Sequence, residues 1–396
     1  MTHSISVMTP RAIFVSIALV LFGLSAVCLG TGTERHTKYL VYVGTYTENG
    51  SESKGIYAYR FDANTARLTP IGLAAQTANP SFLVAHPNQR FVYAVNELSN
   101  YKGEKSGAVS AFAIDRATGK LTLLNQLASR GGDPCYITVD KSGKYVLLAN
   151  YGGGSVAVFP ILEDGRLGEA SAFVQHTGHG TNPQRQEAPH THSIDLSTDN
   201  RFAIVDDLGL DESLVYAFDS TKGSLANNYP TIAKADPGAG PRHFALHPDG
   251  KFAYVINEME SAVSAFSYEP TAGELQPLQT ISTLPKNFSG PSQAAEIEIA
   301  PSGKFLYASN RGHDSIAVFA IDGNKGTLTP VEYVSTKGAS PRSFEISPTG
   351  SLLFAANEKS DNIVLFHINQ GTGRLTPTGK VLDVAQPVCV KFVAID

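Results

Sequence analysis

The sequence predicts an all-β fold: a seven-bladed β-propeller with four antiparallel strands per blade, closed by N- and C-terminal strands that share one blade. Three observations lead there. One motif recurs six times along the chain. Each copy consists of short apolar runs bounded by turn residues, without helical period. The two chain ends carry complementary halves of a seventh copy.

The motif is plainest in PRHFALHPDGKFAYVINE (Pro241–Glu258), AEIEIAPSGKFLYASNR (Ala295–Arg311) and PRSFEISPTGSLLFAANE (Pro341–Glu358). Earlier copies are PSFLVAHPNQRFVYAVNE (Pro80–Glu97), PCYITVDKSGKYVLLANY (Pro134–Tyr151) and HSIDLSTDNRFAIVDD (His192–Asp207). A polar column at Asn96, Asn150, Asp207, Asn257, Asn310 and Asn357 marks the strand exits. Its steps of roughly 50 residues are the size of a four-stranded blade. Within a copy, an apolar strand enters a turn such as Pro248-Asp249-Gly250. A second strand rich in β-branched and aromatic residues follows, as in Phe252–Ile256. A third has the form SAVSAF (Ser261–Phe266), SIAVFAI (Ser315–Ile321) or NIVLFHI (Asn362–Ile368). A weaker fourth carries a turn such as Leu328-Thr329-Pro330.

At the N-terminal end, Tyr39–Tyr46 reads as a second strand and Gly55–Phe61 as a third. Pro387–Val393 reads as a first strand with nothing after it. Joining them completes a blade and removes the exposed edges of an open stack. The propeller therefore runs over residues 38–396. The chain has no Trp, so the Trp-Asp signature of one common propeller class is absent.

Composition agrees with a globular domain, at 42% hydrophobic and 17% charged residues. A net charge of −5 without a basic block argues against a nucleic-acid partner. Arg11, the apolar run Ala12–Val27 and the small residues after it describe a signal peptide over residues 1–30. The run is shorter than the ~20 residues that span a bilayer, so an exported chain without stable membrane insertion is expected; an uncleaved anchor is the alternative. Ser25, Ala26 and Val27 make a poor lipoprotein site before Cys28. Cys135 and Cys389 are expected as free thiols on inner strands of non-adjacent blades.

In such a fold the start of each first strand and the end of each second strand meet at one mouth of the channel. Residues sixteen apart, such as Arg242 and Glu258, should lie near-opposite. Two rings follow. One holds Ser81, Cys135, His192, Arg242, Ala295 and Arg342; the other holds Glu97, Tyr151, Leu208, Glu258, Arg311 and Glu358. His190, His243, Glu296, His313 and Asp314 are close by. This many ionisable groups at one opening suggest either ion pairs stitching blades together, Arg242–Glu258 and Arg342–Glu358, or a pocket for an anionic, oxygen-rich small molecule. His190 and His192 could share a metal, but no third ligand follows at a recognisable spacing, so no metal or other cofactor is expected. Gly152-Gly153-Gly154 reads as a turn rather than a phosphate loop. The polar stretch Gln175–Gln186 is an insertion that either folds over the mouth or is solvated.

Several stretches resemble the seven-bladed-propeller lactonase family, typified by bacterial propeller-type 6-phosphogluconolactonase. They are NPSFLVAHP (Asn79–Pro87), YAVNE (Tyr93–Glu97), PHTHS (Pro189–Ser193), GPRHFALHPDGKFAYVINE (Gly240–Glu258), FLYASNRGHDSIAVF (Phe305–Phe319) and SDNIVLF (Ser360–Phe366). The chain is also similar to a fungal carboxy-muconate lactonising enzyme, where a His, two Arg and a Glu around the mouth are implicated in lactone chemistry. The resemblance implies these are His190 or His192, Arg242, Arg311 and Glu258; His243, Glu296, His313 and Arg342 are candidate substrate contacts from their place on or beside the rings, and the resemblance does not carry Arg342 over. It implies a small-molecule lactone as partner and no metal. The implied reaction is hydrolysis of a sugar lactone by activated water, with arginines at the developing oxyanion and Glu258 or a His taking the proton. A non-catalytic exported propeller and a lactone-forming cyclase are the alternatives. An export signal and a cytosolic phosphorylated substrate conflict, so the substrate within the class stays open.

Overall fold

The computed structural model describes residues 1–6, 36–48, 50–226 and 231–396. Most of the expected signal peptide lies outside the described residues. Among those described, no helix is long and apolar enough to cross a membrane. The chain divides into two compact units, Met1–Arg35 and His36–Asp396, and the strands belong to the second.

Seven antiparallel sheets make up that unit. Blade 1 is the split one, in the order Pro387–Ala394, Lys38–Thr45, Gly55–Asp62, Arg67–Gln76. Its closing register runs from Tyr39 opposite Ala394 to Gly44 opposite Cys389. Blades 2 to 7 begin at the channel with Leu83–Ala85, Pro134–Val139, Thr191–Leu196, Pro241–Leu246, Gln293–Ile299 and Pro341–Ile346. These inner strands neighbour one another in a closed ring, with Pro387–Ala394 between the first and last. Blade 4 departs from the pattern: Ser224–Leu225 and Thr231–Lys234 both pair with its third strand, Glu212–Asp219.

The second strands are apolar up to their polar exits because neighbouring blades bury both faces. FVYAVN, YVLLAN, FAYVIN and LLFAAN have every residue buried. A hydrogen bond repeats across four blade interfaces. Tyr42, Tyr93, Tyr254 and Tyr307 each donate their hydroxyl to the carbonyl of a turn glycine in the next blade: Gly119, Gly165, Gly326 and Gly373, at 3.2, 3.0, 2.9 and 2.8 Å. The glycines are required. Gly326 has φ +70°, and a Cβ there would stand 2.2 Å from the Phe252 ring. The polar column fixes the entry to each blade: Asn96, Asn150, Asn310 and Asn357 donate to carbonyls of the incoming connection, at Ala78, Ser129, Thr283 and Thr336.

The inner strands begin with a β-bulge, which the sixteen-residue offset did not foresee. Pro241 faces Asn257 and His243 faces Ile256, so Arg242 is the extra residue, and Glu258 bonds its N–H to Gly240 instead. The same irregularity makes Cys135, His192 and Arg342 extra residues in blades 3, 4 and 7. A bulge re-aims its side chain; here four bulges direct side chains to one mouth.

Candidate active site

Cys135, His192 and Arg342 from the bulges line a cavity of about 320 Å³, together with Glu97, Tyr151, Glu258 and Arg311 from the ends of second strands. Tyr46, Arg185 and Gln293 complete the wall. Two larger hollows flank it. One, about 690 Å³, includes Arg185, Arg311, Arg342 and Lys359; the other, about 620 Å³, includes Glu48, Glu97, Asp133 and Glu358. Asp314 and Glu358 also line the first, so cations outnumber carboxylates there, whereas the charged residues of the second are carboxylates alone. Below, Phe82 stacks on Tyr136 at 4.4 Å between centroids, and both meet His243 edge-on, at 5.7 and 4.9 Å. These rings come from blades 2, 3 and 5 and pack together beneath the cavity.

Glu258 organises one wall. It is 4% exposed and receives three guanidinium groups. Arg185 Nη2 reaches Oε1 at 2.6 Å, while Arg242 Nε and Arg311 Nη2 reach Oε2 at 3.1 and 2.9 Å. Burial alone would raise its pKa, but Arg311, then Arg242 and His192, hold it well below the usual carboxylate range. Arg242 is 2% exposed and does not line the cavity. Its Nη1 donates to Ala295 O at 2.5 Å and sits 3.2 Å from His243 Nε2. Burial, then Arg311 and Arg342, push it down to about 10. His243 in turn donates Nδ1–H to Glu296 Oε1 at 2.7 Å, so its Nε2 is the acceptor facing Arg242. Arg242, His243 and Glu296 form a buried chain behind the wall.

His192 lies in the cavity, its Nε2 3.9 Å from Glu258 Oε2 and its Nδ1 3.7 Å from Cys135 Sγ. Burial, then Arg242 and His243, keep its imidazole neutral. His190 is outside. It stacks against Tyr151 at 4.5 Å, its Nδ1 3.0 Å from Tyr151 O and its Nε2 3.4 Å from Glu187. The two histidines therefore share no ligand position, and among the described residues no group of His, Cys, Asp or Glu is disposed to hold a metal. His313 also turns away, with Nδ1 2.6 Å from Ser315 Oγ and its ring against Phe288. Cys135 and Cys389 are buried free thiols, and burial pushes both upward in pKa.

Arg342 has no such partners. Among the described residues its guanidinium makes no ion pair with Glu358 or any other carboxylate; it lies over the Tyr46 ring, 5.4 Å from the centroid. Tyr46 is the seventh member of the second ring. It escaped the sequence alignment because Thr45 stands where other blades carry Asn or Asp. Arg185 sits at the end of the insertion after Gln175, which does fold over the mouth. Gln186 ties that segment down by donating to Leu208 O and Asp211 Oδ1 at 2.8 and 2.7 Å. His176 anchors its start through Asp207 Oδ2 at 2.7 Å.

Residues 40–392 match the family model described as lactonase, 7-bladed beta-propeller. A 6-phosphogluconolactonase of Bacillus subtilis (strain 168) is 42% identical over 356 residues, covering 90% of this chain and 99% of that relative. A 6-phosphogluconolactonase of Formosa agariphila is 35% identical over 312 residues, covering 77% of this chain and 85% of its own. Among solved structures, the periplasmic gluconolactonase of Pseudomonas aeruginosa has a TM-score of 0.84 at 34% identity, covering 91% of this chain and all of that one. On the match over residues 40–392 and these identities, the chain belongs to the seven-bladed β-propeller lactonase family.

Proposed function

We propose that this protein hydrolyses a sugar lactone, 6-phosphogluconolactone or a related aldonolactone, to the open hydroxy acid by direct attack of water. The observation that carries the reading is Arg342, a guanidinium in the cavity wall without an ionic or hydrogen-bonding partner among the described residues. Arg342 is only partly buried, so solvent serves its N–H groups in the free protein and no acceptor among the described residues competes for them. They are available to a ligand acceptor, as the carbonyl oxygen of a lactone becomes increasingly on its way to an oxyanion. Arg311 adds a second free donor, since its buried Nε–H has no partner. Its Nη2 is held by Glu258 and by Ala294 O, so this guanidinium is fixed in place before substrate arrives.

Water is the nucleophile that fits. Cys135, the one thiol in the wall, is kept protonated by burial, and the side chain beside it is a neutral, weakly basic His192. Arg242 supports this site from behind by bracing Glu258, and His243 and Glu296 brace Arg242. Export belongs to the same proposal. It is supported by the apolar run Ala12–Val27 and by likeness to a periplasmic gluconolactonase. An exported enzyme meets unphosphorylated aldonolactones more readily than phosphorylated ones. The test is proton release in a pH-stat over a panel of both kinds. Acceleration above spontaneous opening is expected on at least one; none on any member leaves a binding propeller instead.

A further inference from the structure

We propose that Glu97, held in place by Tyr46, is the group that moves the proton in this reaction. It rests on the lactone-opening reading above and adds a residue that the motif resemblance does not carry over. Glu97 stands on the opposite side of the cavity from the arginine-bound Glu258, beside Arg342. The Tyr46 hydroxyl donates to its carboxylate, 3.0 Å from each oxygen. The backbone at this point is fixed on both sides. Glu97 N donates to Asn79 O at 3.0 Å, and Asn79 Nδ2 donates back to Glu97 O at 3.1 Å. The Asn79 side chain also accepts from Thr47 N at 2.9 Å, so one residue positions both Glu97 and the segment carrying Tyr46.

The other candidates are badly suited. Both oxygens of Glu258 are taken up by guanidinium groups, which makes it a very weak base. His192 is held neutral first by burial and then by the positive charge of Arg242, both of which oppose its protonation. Glu97 is shifted the other way. Burial raises its pKa above the ordinary Glu value, against the pull of Arg342, Ser81 and Tyr46, and Asp133 adds to the rise. A proton carrier works best when its pKa lies near the working pH, because it must both accept and return the proton. The groups facing it are Tyr46 from blade 1, Ser81 from its own blade, Asp133 and Cys135 from blade 3, and Arg342 and Glu358 from blade 7.

The step balances without any co-reactant. Glu97 takes a proton from water as the water oxygen bonds to the carbonyl carbon, and the carbonyl electron pair moves onto oxygen beside Arg342. When that pair returns, the bond from carbon to the ring oxygen breaks. The proton on Glu97 passes to the ring oxygen, which leaves as a hydroxyl. The new carboxylic acid ionises into solvent, giving one hydroxy carboxylate and one proton per lactone and water consumed.

The experiment is a pH profile of kcat/KM on whichever lactone the parent protein opens, with E97Q and Y46F beside it. Parent inactivity on every lactone defeats the lactonase reading and this proposal with it. Given an active parent, E97Q should lose about 10²–10⁴-fold in kcat, the usual contribution of a general base, and with it the acid limb of the profile. Added formate should restore part of the activity of E97A. Y46F should keep substantial activity but move the acid limb to higher pH, because the phenol hydrogen bond favours the ionised carboxylate. An E97Q protein with parent-like kcat and an intact acid limb would overturn the assignment while leaving the lactonase reading standing. If E97Q does not fold, Y46F decides, and an unmoved limb counts against the proposal.

Discussion

A guanidinium taken out of water has to be given acceptors, and of the two equivalent arginines in blades 5 and 7 only Arg242 is so buried; Arg342 is partly exposed. Arg242 has Glu258 and Ala295 O; Arg342 has only the face of Tyr46. Their replacements should therefore behave differently. R242M removes one of three cations around a buried carboxylate, and breaking a buried pair typically costs about 3–5 kcal/mol, less here because Arg185 and Arg311 stay. Its melting temperature should fall, with activity falling as Glu258 loses its brace. R342M removes a charge with no partner, so stability should hold, while kcat/KM should drop about 10²–10³-fold as an oxyanion donor is lost. Melting curves and kinetics on both variants check this; equal losses of stability would show that Arg342 is structural. The sequence places both arginines in one ring, because the repeat aligns them, and the one offset offers Arg242–Glu258 and Arg342–Glu358 alike as ion pairs or as pocket groups; only the first pair forms. What decides the difference is Tyr46, contributed by the split blade, where the repeat is hardest to align. Arg185 was out of reach for a related reason: its insertion has no counterpart in any other blade.

At the scale of the element, most of the fold was legible. Apolar runs of six, turn residues at fixed offsets and half-blades at the two ends each have one physical reading, and the strands fall where that reading puts them. The bulges were not legible. An inserted residue leaves no compositional mark when the position can be Cys, His or Arg, and only the backbone register between Pro241 and His243 reveals it. The Tyr-to-Gly hydrogen bonds between blades were likewise hidden, since they join residues some seventy positions apart, as Tyr254 to Gly326. Tyr307 offers a clean measure of one such link. Y307F leaves the Gly373 carbonyl buried without its donor, which should cost about 1–3 kcal/mol. Denaturant unfolding should show the loss in the midpoint, with kcat/KM unchanged because the bond lies away from the mouth. An unaltered midpoint would mean that water replaces the hydroxyl there.

The whole molecule is a ring sewn shut at one place, where Lys38–Thr45 pairs with Pro387–Ala394. The two ends of the propeller unit meet there too: Thr37 N donates to the Asp396 carboxylate at 2.8 Å. The contacts across this seam join the most distant parts of the sequence, and pairings of that kind are slow to form. The seam also passes beside the cavity, because Tyr46 follows Lys38–Thr45 in blade 1 and the Arg342 beneath which it lies belongs to blade 7. Unsewn, the six continuous blades could each hold their strands while Glu97 lacked its hydroxyl donor and Arg342 its aromatic support. Refolding from denaturant should accordingly recover far-UV circular dichroism before it recovers lactone opening, and the lag between the two signals times the closing of the seam. Simultaneous recovery would mean that closure comes early. With Glu97 and Arg342 in the roles proposed for them, closing the seam is what completes the site, and a chain that has not finished folding would open no lactone.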